Sequence, residues 1–381
     1  MLGLLLTPAA AAAAPYLDVE LLLDNSASME IGATPADIAT MLQLTPCAPS
    51  NASFGGRHHM GGGSMSGQSY AVYTCASGDQ VYDGPGTCPI PALPPYHFTT
   101  FVPGRMAPSC EGYLPRNPVT GMYPSAGAPC AFACHWNLTR PAGTGDDFYG
   151  LARATIGRPN QITLRFDQVK RAVHRLITDM REDDLPSHNL KLGIFTFDAA
   201  LTRVYPPQGE AGDDWQAALA AVGLPPTAPG TPDTGIQPYG GGNGGGTDFP
   251  RAMTALSGGV LTQAGDGAGP AQPRKVLVLI TDGLQDGPSR DMRGLDPTYC
   301  RQFKNLGYVI YVVHMPYYPL MNPFYLQNVK SVVEGTGPDS TTASLKACAS
   351  DPTRDYAEVT EQGALDAALT RFFRQAVSGG E

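Results

Sequence analysis

The residues with the clearest chemical content lie in three short stretches. Asp24-Asn25-Ser26-Ala27-Ser28 follows the apolar run Tyr16 to Leu23, Thr247 ends a glycine-rich loop, and Asp282 follows the apolar run Lys275 to Ile280. Asp24, Ser26, Ser28, Thr247 and Asp282 together offer two carboxylates and three hydroxyls, with no sulfur and no imidazole. Hard oxygens of this kind suit a hard divalent cation, Mg²⁺ first, with Mn²⁺ and Ca²⁺ as alternatives. The Asp-x-Ser-x-Ser alternation lets successive ligands point the same way from an extended loop, and the glycines before Thr247 let backbone approach closely. Each piece alone also reads as a helix cap, a turn or a linker. The specificity lies in their order and in the elements that carry them.

The same residues weaken the nearest enzymatic rival. A Mg²⁺-dependent phosphatase built on an aspartate nucleophile needs a second acid two residues on, and that position is Ser26. Such an enzyme stays as the lesser alternative. No Gly-x-Ser-x-Gly elbow and no Gly-x4-Gly-Lys-Ser/Thr loop is present, so serine hydrolysis and nucleotide cradling lack their residues.

The elements that must position these loops alternate. Tyr16 to Leu23, Leu190 to Phe197, Lys275 to Ile280 and Tyr308 to His314 read as buried strands, with short strands near Leu201 to Tyr205 and Tyr356 to Thr360. Arg165 to Met180 spaces Phe166, Val169, Val173, Leu176 and Ile177 three and four residues apart, which predicts a helix with one apolar stripe. Helices are also predicted over Trp215 to Val222, Phe249 to Leu256, Pro297 to Leu306 and Gly363 to Ala376. Strand–helix alternation of this kind predicts an α/β fold: a doubly wound, mainly parallel sheet with helices on both faces. In such a sheet ligands bind beyond the carboxyl ends of strands, where Asp24 and Asp282 stand.

Residues 31–160 break the alternation. They hold 16 Pro and 18 Gly, no lysine, and six of the eight cysteines. They read as a large irregular, disulfide-rich insertion after the first strand, opened by a short helix from Thr34 (the N-cap, with Pro35 at the first helical position) to Gln43. The unit 16–381 is thus one domain interrupted by 31–160. Cys300 starts one predicted helix and Cys348 ends the segment before the last short strand, so sheet neighbours could join them, and a Cys300–Cys348 disulfide is expected. Within the insertion the one pairing singled out is Cys75–Cys88, around a turn at Asp83-Gly84-Pro85-Gly86.

Even cysteine usage points to an oxidising compartment. The apolar run Leu2 to Ala14, within residues 1–15, reads either as a leader or as the remnant of a membrane anchor, and both imply export. No other run has the eighteen to twenty apolar residues of a spanning helix. With 34 acids against 25 bases and a net charge of −9, the chain lacks the basic excess that a nucleic-acid surface needs.

With those stretches in place, the sequence resembles the von Willebrand factor A-type domain with its metal-ion-dependent adhesion site. The matching segments are LLLDNSASM (Leu21 to Met29), GGGTD (Gly244 to Asp248) and LVLITDG (Leu277 to Gly283). The resemblance covers residues 16–30 and about 160–381. It implies that Ser26, Ser28 and Thr247 coordinate a divalent cation, that Asp24 and Asp282 do so directly or through water, and that one position stays open for an acidic side chain of a protein partner. DNSASM followed by ATPADIATM, CAFACH, RFDQVKRAV and the late cysteines is similar to TadG-like proteins of bacterial tight-adherence (Flp) pilus systems. That resemblance implies a periplasmic, surface or envelope-associated adhesion module, with pilus components as candidate partners and membrane anchoring left open. A structural envelope component whose cation site stays empty is the alternative.

Overall fold

A strand covered on both faces needs apolar side chains on both, and the runs predicted above meet that demand. The computed structural model describes residues 15–44, 47–49, 71–75, 80–83, 152–153, 155–185, 187–228, 231–238, 246–285, 292–318 and 329–379. Among them, β1 (Leu17–Asp24), β5 (Leu190–Phe197), β6 (Leu201–Tyr205), β7 (Arg274–Thr281), β10 (Val309–His314) and β11 (Tyr356–Glu358) form one sheet in the order β11-β10-β7-β1-β5-β6. All neighbours are parallel except β6, which runs antiparallel to β5 at the edge. The fold is therefore α/β with a six-stranded, mainly parallel sheet.

Alternation along the strands divides the core in two. Leu17, Val19, Leu21 and Leu23 of β1 face α2 (Arg165–Asp184) and α8 (Gln362–Ser378), against Phe166, Val173, Ile177, Leu369 and Phe372. Leu22, Leu277, Leu279 and Ile310 belong to the opposite core, with Phe249 and Met253 of α4 (Phe249–Gly259), Phe303 of α5 (Thr298–Asn305) and Leu345 of α7 (Thr341–Cys348). Helices thus cover both faces. Cys300 of α5 and Cys348 of α7 are joined in a disulfide with Cα atoms 5.3 Å apart, which fastens two helices of the second layer. The helix predicted to end at Met180 runs on to Asp184, whose carboxylate accepts from Leu190 N at 2.8 Å and from Trp215 Nε1 at 3.2 Å. The remaining helices are α1 (Pro35–Leu44), α3 (Trp215–Val222) and the short α6 (Lys330–Val333).

The chain leaves and re-enters the sheet domain through a paired neck. Gly32 bridges Leu164, Ala33 N donates to Thr163 O at 2.8 Å, and Arg165 N donates to Ile31 O at 3.0 Å. A Cβ at Gly32 would lie 2.8 Å from both Asp37 Cβ and Ile38 N, so the close approach of α1 requires glycine. Thr34 caps α1 as its type predicts: its hydroxyl accepts from Asp37 N, while Asp37 accepts from Thr34 N and from Thr163 N. Thr34 and Thr163, 129 positions apart, are held by one carboxylate. Beyond the neck, β2 (Cys47–Pro49), β3 (Ala71–Cys75) and β4 (Gln80–Asp83) form a small antiparallel sheet. Ala71 stands opposite Asp83, the last residue of β4, and the turn expected at Asp83-Gly84-Pro85-Gly86 runs beyond the described residues. The register sets Cys47 opposite Cys75. The proposed Cys75–Cys88 bond, the segment Leu2 to Ala14 and the glycine run 240–245 lie outside the described residues.

One polar group sits deep in the second core. Glu20 of β1 is fully buried, its two oxygens have no hydrogen-bond partner, and Gly193 opposite it on β5 leaves the space it fills. Burial, then the charges of Glu210 and Asp18, raise its carboxyl well above the usual range, against Lys275 and Arg203. The folded chain keeps this proton at a pH where the unfolded chain has released it. Stability is therefore lost as pH rises from the unfolded value through the folded one. Glu20→Gln is expected to be more stable than the wild type at pH 8 by about 1.4 kcal/mol or more, the worth of one pKa unit. The difference should vanish near pH 4 in urea denaturation series; equal stability at pH 8 would refute a buried neutral Glu20.

Candidate metal centre

The sheet order creates a place for a ligand. From β1 the chain proceeds to β5 on one side, and from β7 it proceeds to β10 on the other, so the connections diverge between the adjacent strands β1 and β7. Outside the carboxyl ends of such a pair lies the crevice where open α/β sheets bind ligands. Asp24 is the last residue of β1, and Asp282 follows the last residue of β7.

Hydrogen bonds lock the two strand ends together. Thr281 Oγ1 donates to Asp24 Oδ2 at 2.6 Å, and Ser26 N donates to Asp24 Oδ1 at 3.0 Å. The Ser26 and Ser28 hydroxyls lie 3.0 Å apart, so the alternation in Asp-x-Ser-x-Ser does bring both to one side. Leu284 N donates to Asp282 Oδ1 at 3.1 Å. Thr247 is buried on the adjoining loop, just before α4, and that loop is tied to the end of β5 by Asp248 N donating to Asp198 O at 2.9 Å. Hydrogen bonds among the described residues do not join Thr247 to the other four. Asp248 caps α4 by accepting from Arg251 N.

Two carboxylates withdrawn from water repel each other and cost free energy unless cations answer them. Burial, then the charge of Asp282, lift Asp24 to about 7. Burial also raises Asp282, against the opposing charge of Arg165. Arg165, the first residue of α2, is 1% exposed. Its Nη2 donates to Pro316 O at 2.8 Å, its guanidinium lies over the Tyr317 ring at 4.7 Å, and its Nη1 stands 3.7 Å from Asp282 Oδ2. Both facing atoms, Nη1 and Oδ2, are buried without a hydrogen-bond partner. Burial first and the Arg165 charge second push the neighbouring His314 imidazole down to about 3, which leaves it neutral.

This donor set fits a hard cation. Its atoms are carboxylate and hydroxyl oxygens, and Asp282 Oδ2 is an orphaned buried acceptor. Among the described residues no group of three or more His, Cys, Asp or Glu side chains is placed to hold a metal, so the hydroxyls of Ser26, Ser28 and Thr247 must complete any coordination shell here. Three contributors escaped the sequence: Thr281, Arg165 and Tyr317. Arg165 did carry a signal, since a cation in the first turn opposes the helix dipole and needs a buried partner to justify it.

No family model matches the chain, and no curated protein matches it. Among solved structures it is similar to proximal thread matrix protein 1 from the mussel byssus with a zinc-occupied MIDAS motif, at 13% identity and a TM-score of 0.36, over 54% of this chain and 41% of that one. It is similar to the pilus adhesin SpaC from Lactobacillus rhamnosus GG at 13% identity and a TM-score of 0.37, over 56% of this chain and 28% of that one. A third likeness is to the PilB minor pilin from Streptococcus sanguinis, at 10% identity and a TM-score of 0.36, over 97% of this chain and 63% of that one. The chain spans less than half the length of the first two. Likenesses of this order assign the chain neither a family nor a function.

Thr281 also accepts from Gly283 N at 3.0 Å, so its hydroxyl supports both strand ends. Thr281→Val removes the donor to buried Asp24 and is expected to destabilise the fold by about 1–3 kcal/mol. A denaturation midpoint equal to that of the wild type would show that this link carries no stability.

Proposed function

We propose that this chain is a non-enzymatic, cation-dependent binding module of the bacterial envelope, gripping an acidic group of a protein partner through a divalent ion, Mg²⁺ foremost. The observation that carries this reading is the convergence of Asp24, Ser26, Ser28 and Asp282 at the divergence of β1 and β7, with Thr247 on the adjoining loop. When bound, the cation supplies a Lewis-acidic bridging charge. The residues supply its cradle: Ser26, Ser28 and Thr247 through hydroxyls, Asp24 and Asp282 directly or through water.

Charge supports an acidic partner. Asp24, Asp282 and Arg165 together give −1 when both acids are ionised, and a divalent ion makes the loaded site +1, which favours a carboxylate over a cationic or neutral group. The neck residues Ile31 to Ala33 and Thr163 to Arg165 adjoin this site, which supports reading the insertion 31–160, with its aromatics, as the part that chooses the partner. Pilus assembly or surface attachment outside the cytoplasm is the setting this reading fits, by the resemblance to TadG-like proteins. Among the described residues no helix is long and apolar enough to cross a membrane.

Titration calorimetry with Mg²⁺ and Mn²⁺ tests the centre. The wild type should bind, and the Ser26→Ala, Ser28→Ala double variant should bind at least about tenfold more weakly, a difference of about 1.4 kcal/mol. Equal binding by the two folded proteins, or none by either, would remove the cation from the function.

A further inference from the structure

A guanidinium inside a cation site has a consequence for how the site fills. Arg165 is not a surface residue that can swing away: it is 1% exposed, its backbone N is bound to Ile31 O in the neck, and its side chain is fixed by Pro316 O and the Tyr317 ring. Its Nη1 faces Asp282 Oδ2 at 3.7 Å, too far for a hydrogen bond, and neither atom makes a hydrogen bond within normal distance, while the Ser28 and Tyr317 hydroxyls also face the Asp282 carboxyl. The geometry is that of a charge set opposite a carboxylate while leaving that carboxylate's oxygen free to bind something else.

We infer that Arg165 is the resident counter-cation of this site: it holds the Asp24–Asp282 pair folded without metal and weakens cation uptake by its charge. The inference rests on the cation reading above and adds a regulation to it. A fixed positive charge close to a divalent ion is repelled by it, and in a buried setting the repulsion costs at least a factor of about ten in affinity. The metal-free state stays folded, and uptake becomes conditional on cation concentration. Arg165 is thus a positioning residue for charge, acting through Asp282.

Three proteins test this: the full-length wild type, Arg165→Met and Arg165→Lys. Each is titrated with Mg²⁺ calorimetrically and melted in chelator and in excess Mg²⁺. Arg165→Met should bind Mg²⁺ about tenfold more tightly than the wild type, melt lower in chelator, and recover in Mg²⁺. Arg165→Lys, which keeps the charge but loses the planar stacking on Tyr317, should bind Mg²⁺ more weakly than Arg165→Met. A purely structural arginine would not raise affinity on removal. Wild-type binding with Arg165→Met no tighter overturns this inference and leaves the cation reading standing, whereas no binding by any of the three overturns both. Binding by Arg165→Met alone supports the charge inference but counts against cation uptake by the wild type, and so against the proposed function. If Arg165→Met unfolds in chelator, refolding on addition of Mg²⁺ supports the inference and failure to refold, with Arg165→Lys folded, overturns it.

Discussion

Two carboxylates buried side by side set the terms for the rest of this molecule. Asp24 and Asp282 sit at the carboxyl ends of adjacent parallel strands, both wholly withdrawn from solvent. Water cannot answer their charge, so protein groups must: Thr281 and the Ser26 amide at Asp24, the Leu284 amide and the Arg165 charge at Asp282. Burial of this kind is expensive and stabilises nothing by itself. The pair lies at a topological divergence, the place where ligands of open sheets bind.

The sheet is what makes the burial sustainable. β1 and β7 are central and parallel, paired over seven residues from Leu17–Arg274 to Leu23–Ile280, and covered by helices on both faces. A rigid, fully hydrogen-bonded pair fixes the two strand ends within tenths of an ångström, and loops alone could not. The disulfide between α5 and α7 and the capped starts of α1 and α4 fasten the surrounding layers. The polar interruption at Glu20 shows the same logic inverted: midway along β1 no cation answers the carboxyl fully, and a proton does.

The neck connects the two chemical halves of the sequence. Asp37 accepts from Thr34 and Thr163, and Arg153 is paired with Asp167 of α2 and with Asp233, which also holds Lys170 at 2.5 Å. Buried ion pairs of this density specify one arrangement more than they add stability. They seat the base of the insertion against α2, whose first residue is the arginine of the centre. Asn25, inside the Asp-x-Ser-x-Ser loop, donates to Gln237 O, and the Gln237 side chain donates to the Asp233 carbonyl, so the backbone of 233–237 reaches that loop from a second direction.

Much of this was legible in the residues. Continuous apolar runs named the buried strands because both faces of a central strand are covered, and the spacing of Phe166, Val169, Val173, Leu176 and Ile177 named α2 because that stripe must bury. Asp24, Ser26, Ser28 and Asp282 were legible as oxygen groups just beyond strand ends, Thr247 as the end of a glycine-rich loop, and the Cys300–Cys348 pair because their elements flank one strand. Tertiary structure alone decided what local pattern does not encode. The order of strands places β7 beside β1, although 257 positions separate their starts, and so brings Asp282 to Asp24. The position of Asp83 at a strand end, the hydroxyl of Thr281 on Asp24 and the guanidinium of Arg165 opposite Asp282 depend on packing between segments far apart in the chain. Side-chain type and periodicity are local properties that the sequence determines, whereas the distance between two charges is set by which strands pair, and that is a property of the whole sheet.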